Sequence, residues 1–252
     1  MDGEHWLLIS ASPDLRQQIL AQPALHPKER SRSSPVFAVV LVSADVDGIA
    51  GLLVLRESQP LEVYGEAALL SVLGANRVFD VLDPALVRRR TISTMEPVDC
   101  GYGLTLTLLP MPGKIPLYLE DRDAREAERG LAFAAQVQAG GRTLIVAPAC
   151  AEITDSVLAQ LANADVLFFD GTLFTDREMI EAGIGKKTGR RMGHVPMTGP
   201  GGSLEQLAGL TCRRIFLHIN NTNPVLLDGS PEREAVERAG FEVAFDGMEV
   251  AL

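Results

Sequence analysis

Apolar runs broken by polar, glycine-rich or proline-rich segments divide the chain into short units. Residues 6–9 and 61–64 have the pattern of strands. Residues 36–42 are a continuous run rich in β-branched side chains, the signature of a strand buried on both faces. Residues 166–169 and 215–219 have the same character, ending at Asp170-Gly171-Thr172 and around His218. Residues 104–109 alternate as a strand. Residues 131–138 and 143–146 flank Ala139-Gly140-Gly141-Arg142, which predicts a hairpin, and residues 241–244 form a last strand. Helical spacing covers residues 15–21, 49–56, 66–73, 156–161, 175–182, 204–210 and 231–239. Ser12-Pro13-Asp14 predicts a cap for the first helix, with Pro13 at its first position. Thr175 or Asp176 is expected to cap the helix at 175–182. Residues 22–35 and 183–203 read as loops, and the charge-dense segment 120–130 reads as exposed.

Strands and helices mixed throughout predict an α/β protein, organised as one domain over residues 1–252. The opening Met1-Asp2-Gly3-Glu4 runs straight into a strand, like a hairpin turn whose first strand is missing; the expectation is a shortened start. The net charge of −10 argues against a nucleic-acid partner, which needs a basic surface. Arg88-Arg89-Arg90 is the basic cluster and reads as solvated surface. Cys100, Cys150 and Cys212 lie far apart with no C-x-x-C pair. With no signal-like start, they predict reduced thiols and a cytoplasmic location. No apolar run approaches the ~18–20 residues of a membrane span.

Polar residues cluster just after apolar strands: Asp45 and Asp47 after residues 36–42, Asp170 after 166–169, and His218 within 215–219. Sites in α/β folds form at such strand ends. His194 sits in the Gly-rich loop and could fold over the same edge. Carboxylates with neutral imidazoles form a ligand set for Zn, Fe or Mn. The plainer alternatives are helix caps, turn formers and structural histidines. Ser43-Ala44-Asp45-Val46-Asp47-Gly48 also imitates a calcium loop, but Val54 stands where the bidentate Glu is required. Asn220, Asn221 and Asn223 can bind their own backbone, hold a polar substrate, or orient His218. Lys187 and Arg190, in the basic loop, are candidate contacts for a substrate carboxylate, the alternative being a solvated loop.

Several blocks together resemble one family: "ASPDLRQQIL", "DVDGIAGLL", "PGK.PLYLE", "DGT", "GKKTGRRMGH" and "HINNTNPVL". They are similar to PqqB, the coenzyme PQQ (pyrroloquinoline quinone) biosynthesis protein B family of the metallo-β-lactamase superfamily. The resemblance covers nearly the whole chain. It implies a four-layer αββα sandwich, here lacking the first strands and the family's N-terminal cysteine-rich zinc segment. The superfamily pattern H-x-H-x-D-H falls on Ser43, Asp45, Asp47 and Gly48. The family lacks the first two histidines but keeps the Asp-His pair, so Gly48 stands at a histidine position and the metal site reads as incomplete. The histidine of P-G-H falls on Lys114, as is usual in the family.

The resemblance implies a non-haem iron-dependent oxygenase that hydroxylates tyrosine of the PqqA-derived precursor, or a transport role for PQQ or its precursor. On this reading Asp47 and His218 hold an Fe or Zn ion, His194 is a further ligand or acid–base group, and Asp170 bridges or orients. The partners it implies are a precursor peptide or amino-acid intermediate, other PQQ biosynthesis proteins and a second copy of the chain. A different reading is a degenerate paralogue, its metal lost, that binds an intermediate or partner without catalysis.

Overall fold

The computed structural model describes residues 3–28, 33–114, 116–119 and 131–252. The expectations for Met1 and Asp2, for residues 29–32 of the first loop and for the charge-dense segment 120–130 lie outside the described residues.

Two sheets form the centre. The first holds β1 (Trp6–Ile9), β2 (Val36–Val40), β3 (Leu61–Gly65) and β4 (Val87–Thr91) in the order β1-β2-β3-β4, all parallel. The second holds β5 (Val98–Gly101), β6 (Leu104–Pro110), β7 (Phe133–Ala139), β8 (Arg142–Ala147), β9 (Val166–Asp170), β10 (Arg213–Leu217) and β11 (Phe241–Val243). Its order is β11-β10-β9-β8-β7-β6-β5, antiparallel from β5 to β8 and parallel from β8 to β11. Parallel strands with continuous apolar runs must be covered on both faces. In β2, Ala38, Val39 and Val40 are fully buried, as are Leu167 of β9 and Ile215 and Phe216 of β10.

The helices are α1 (Leu15–Ala21), α2 (Val46–Ile49), α3 (Ala67–Ala75), α4 (Asp155–Leu161), α5 (Glu178–Glu181), α6 (Ser203–Gln206) and α7 (Pro231–Arg238). Helix α3 buries Leu69, Leu70, Val72 and Leu73, and α4 buries Val157 and Leu161. Thr154 caps α4 by accepting from the Val157 amide, and Ser230 caps α7 by accepting from the Arg233 amide, with Pro231 at the first turn. Two sheets flanked by helices make the α/β class that the mixed elements predict, in the sandwich that the resemblance implies.

Two links place the site. The Phe133 amide donates to Val42 O at 2.8 Å, and Ser43 bridges Ala132, so the end of β2 is tied to the start of β7. Asp170 is in register with Leu217 between parallel β9 and β10, which puts His218 one step beyond on the same rim.

Several local expectations change. Pro13 precedes α1 rather than opening it, and the Ser12 hydroxyl is buried without a hydrogen-bond partner instead of capping. The helix expected over 175–182 is the single turn α5. Asp176 is not its cap: its carboxylate accepts from the Arg190 amide and ties down the basic loop. The helix expected over 204–210 shortens to α6. Helical character at 49–56 is divided between α2 and a 3-10 segment, Ala50–Leu55. Strand β4 carries the arginine triplet, whose residues are exposed as expected. Glu62 on β3 takes Arg90 through Nε and Arg88 at 3.7 Å. The predicted hairpin forms with Gly140 (φ 58°) and Gly141 (φ 78°) both left-handed, as a type I′ turn requires.

Candidate metal centre

Asp170 is the last residue of β9 and is 0% exposed. Its carboxylate gathers four donors. Oδ2 accepts from the Cys150 amide at 3.0 Å and from His194 Nδ1 at 2.9 Å. Oδ1 accepts from the Thr172 amide at 3.1 Å and the Thr172 hydroxyl at 2.6 Å. A buried carboxylate is stable only with such full satisfaction. Gly171 makes the turn that permits this: a Cβ there would meet the Phe216 Cβ at 2.9 Å and Leu217 O at 3.0 Å.

Thr172 Oγ1 lies 3.0 Å from His194 Nδ1 and 2.9 Å from His218 Nδ1. The two rings are nearly parallel, 20° apart with centroids 5.3 Å apart. No hydrogen bond ends on Nε2 of either ring among the described residues, so these atoms remain donors for an ion. His218 holds a left-handed backbone, φ 57°, uncommon for a residue with a Cβ and often found at functional sites. The Gly171 amide on Leu217 O (2.8 Å) and the Asn220 amide on Thr172 O (3.1 Å) hold it there.

Both histidines line a cleft of about 620 Å³, the size of a small-molecule site. Ser10, Ser12, Ser43, Asp45, Asp47, Gly48 and Lys114 also line it, and Leu226 and Phe245 give an apolar flank. Asp170, His194 and His218 each offer a ligand atom within 4.8 Å of the others. Two imidazoles with carboxylates suit a divalent transition-metal ion, so the residues present fit such a group. Asp47 lies in the first turn of α2, exposed at the cleft, and is not part of that compact trio. Gly48 supplies no donor, and a Cβ there would meet Ser43 Oγ at 2.9 Å.

Burial depresses the His218 imidazole below its ordinary pKa, with Asp170 opposing and His194 reinforcing. Burial acts in the same direction on His194, but the Asp170 carboxylate outweighs it and raises that pKa. His218 is therefore the more readily neutral ring. Asp45 is half-buried, and burial raises its pKa against the pull of Lys114 and His194. The Asp45 side chain makes no cap bond, although the residue opens α2. Among the described residues no carboxylate is within ion-pairing distance of Lys114, whose stem passes close to Gly193.

Asp45 carries a pH prediction. A raised folded-state pKa means that its contribution to stability is complete below the unfolded carboxylate value and is lost as pH rises through the raised one. Asp45→Asn is therefore expected to stabilise the metal-free protein at about pH 7 and to give no gain near pH 4. Thermal unfolding across that range measures it; an equal shift at both ends would refute the cause.

The other expected contacts lie elsewhere. The Arg190 guanidinium donates to Pro200 O at 3.0 Å and Gly201 O at 2.9 Å, stapling its own loop away from the cleft. Lys187 is half-buried in that loop and does not line the cleft. The Asn220 amide binds Thr172 O, and its side chain donates to the Thr222 hydroxyl at 2.6 Å; Asn221 is exposed. Asn223 is the amide side chain that supports the site, donating to Gly171 O at 3.0 Å and accepting from the Val225 amide. Thr172, the third residue of the D-G-T block, is a working side chain that no local sequence signal singles out.

A β-lactamase superfamily domain model matches residues 5–219. Coenzyme PQQ synthesis protein B of Methylobacterium nodulans is 52% identical over 253 residues, covering 100% of this chain and 85% of the relative. The protein of the same name from Rhizobium meliloti is 49% identical, covering 100% and 83%. The crystal structure of Zn2+-bound PqqB from Methylobacterium extorquens superposes with a TM-score of 0.95 at 48% identity, covering 100% and 85%. The short form of human tRNase Z shares the fold at a TM-score of 0.62 and 15% identity, covering 100% and 89%.

Proposed function

We propose, because this chain belongs to the coenzyme PQQ synthesis protein B family and so has a role in PQQ biosynthesis, that it is an iron-dependent oxygenase hydroxylating tyrosine of the PqqA-derived precursor. The observation that supports this most is that His194 and His218, clustered with the buried Asp170 behind them, line one cleft. His194 and His218 would hold the ion through Nε2, with Asp47 as the carboxylate from the mouth and Asp170 orienting the rings. A relative's Zn2+-bound structure supports a metal ion here. Bound iron would supply the activation of dioxygen. The chain's own groups do the rest. Lys114 attracts an anionic group of the precursor into the cleft. Asp45 keeps a proton to higher pH than an ordinary aspartate and can exchange it with substrate. Leu226 and Phe245 offer an exposed apolar flank for the non-polar part of the substrate.

The test is the iron-loaded protein with a tyrosine-containing precursor peptide, a reductant and air. Addition of one oxygen atom, seen by mass, supports the reading. No addition at full iron occupancy overturns it.

Gly48 favours a second reading, a non-catalytic binder of a PQQ intermediate, because the position contributes no ligand. Gly48→His is expected to raise metal affinity by about tenfold or more, the scale of changes around a metal site. The gain should be larger with Ser43→Gly, which removes the Oγ that the new Cβ would meet at 2.9 Å. Competition with a chromophoric chelator measures both. Unchanged affinity in the double variant would show that the missing imidazole is not what limits binding.

A further inference from the structure

We infer that Thr172 is a positioning residue that relays the Asp170 carboxylate to His218 and sets that ring's tautomer. The inference deepens the metal reading above and rests on it only for its consequence, not for its test.

The hydroxyl has one proton and two lone pairs. Three groups surround it: Asp170 Oδ1 at 2.6 Å, His218 Nδ1 at 2.9 Å and His194 Nδ1 at 3.0 Å. The carboxylate can only accept, and its contact is the shortest, so the proton goes to Asp170. The lone pairs then face both imidazoles, and each ring must present an N–H from Nδ1. Both Nε2 atoms are left with free lone pairs. The two rings do not depend on Thr172 equally. His194 Nδ1 also reaches Asp170 Oδ2 at 2.9 Å, so the carboxylate fixes it directly. His218 Nδ1 has Thr172 Oγ1 as its one hydrogen-bond partner among the described residues. The buried carboxylate therefore governs one histidine by contact and the other through a hydroxyl.

This asymmetry makes the role testable apart from packing. Thr172→Val keeps the shape and removes the hydroxyl; Thr172→Ala is a second such variant, and Thr172→Ser keeps the hydroxyl. Nitrogen-15 NMR of the imidazoles in metal-free full-length protein reads the tautomers. The wild type is expected to show Nδ1–H on both rings, and Thr172→Ser the same. Thr172→Val and Thr172→Ala should lose that form at His218 while His194 keeps it. Equal disturbance of both rings, or none, would overturn the relay, as would Nε2–H at His218 in the wild type. The wild-type and serine spectra decide even if neither hydroxyl-free variant folds.

A parallel titration with Zn2+ separates this inference from the functional reading. Wild-type protein that binds no metal while showing the expected tautomers counts against the reading and leaves the relay supported. Binding by the wild type with a loss of about tenfold to 100-fold in Thr172→Val supports both.

Discussion

His218→Ala is expected to lower affinity for Zn2+ or Fe2+ by more than the ~10–100-fold typical of losing an outer hydrogen-bond partner, because it removes a ligand itself. It should also abolish any activity that needs the ion. His218 is the imidazole whose pKa burial depresses, so at neutral pH its ring is ready to bind without first releasing a proton. Its side chain makes a single hydrogen bond among the described residues, to Thr172, and its backbone is left-handed. The truncation gives up that one hydrogen bond and the stack on His194, and Ala keeps the Cβ and with it the backbone strain, so the metal-free protein is expected to keep its fold with a modest loss of stability. Metal titration and thermal unfolding of the metal-free protein separate the two effects. Affinity within about threefold of wild type would remove His218 from the ligand set. His194→Ala makes a useful comparison: it also deprives Asp170 of a donor, so it should cost stability as well as affinity.

Much of this site was legible in the sequence because apolar strands end where their chemistry begins. Asp170 closes β9 and His218 follows β10, and once two such strands are parallel neighbours their ends must share a rim. The α/β class followed from apolar strand runs such as residues 36–42 mixed with helical segments, while the sandwich layering was what the family resemblance implied. Strand β4 was not legible. Three arginines in a row hide a strand at the edge of its sheet, where one side of each residue faces solvent. Arg190 and Asn220 read as substrate contacts because they are polar and loop-borne. Only the folded chain shows that carbonyls at Pro200 and Gly201, and the Thr222 hydroxyl, already occupy them. Thr172 was hidden for the same reason: its importance is the meeting of three partners from residues 170, 194 and 218, which no local pattern records.

Asp170→Asn is expected to be the most damaging isosteric change near the site, lowering stability by about 2–4 kcal/mol and removing metal binding with it. The carboxylate is fully buried and faces donors only: two backbone amides, a hydroxyl and an imidazole nitrogen. An amide in its place can accept on one side only. Its NH2 would then face either the Cys150 amide with His194 Nδ1, or the Thr172 amide with its hydroxyl, donor against donor. The backbone amides cannot reverse, so at least one buried N–H loses its partner, at about 1–3 kcal/mol. Thr172 and His194 can each rotate or change tautomer to compensate, and that compensation withdraws the Nε2 lone pairs the ion needs. Asp170→Glu fails differently. It keeps the charge but not the reach, since another methylene moves both oxygens off the four donors that now surround them. The expected order of chemical stability in urea is wild type, then Glu, then Asn, with metal affinity low in both variants. An asparagine variant as stable as wild type would mean that the two oxygens do not both need to accept from the donors around them, and the chain of tautomers drawn from that arrangement would fall.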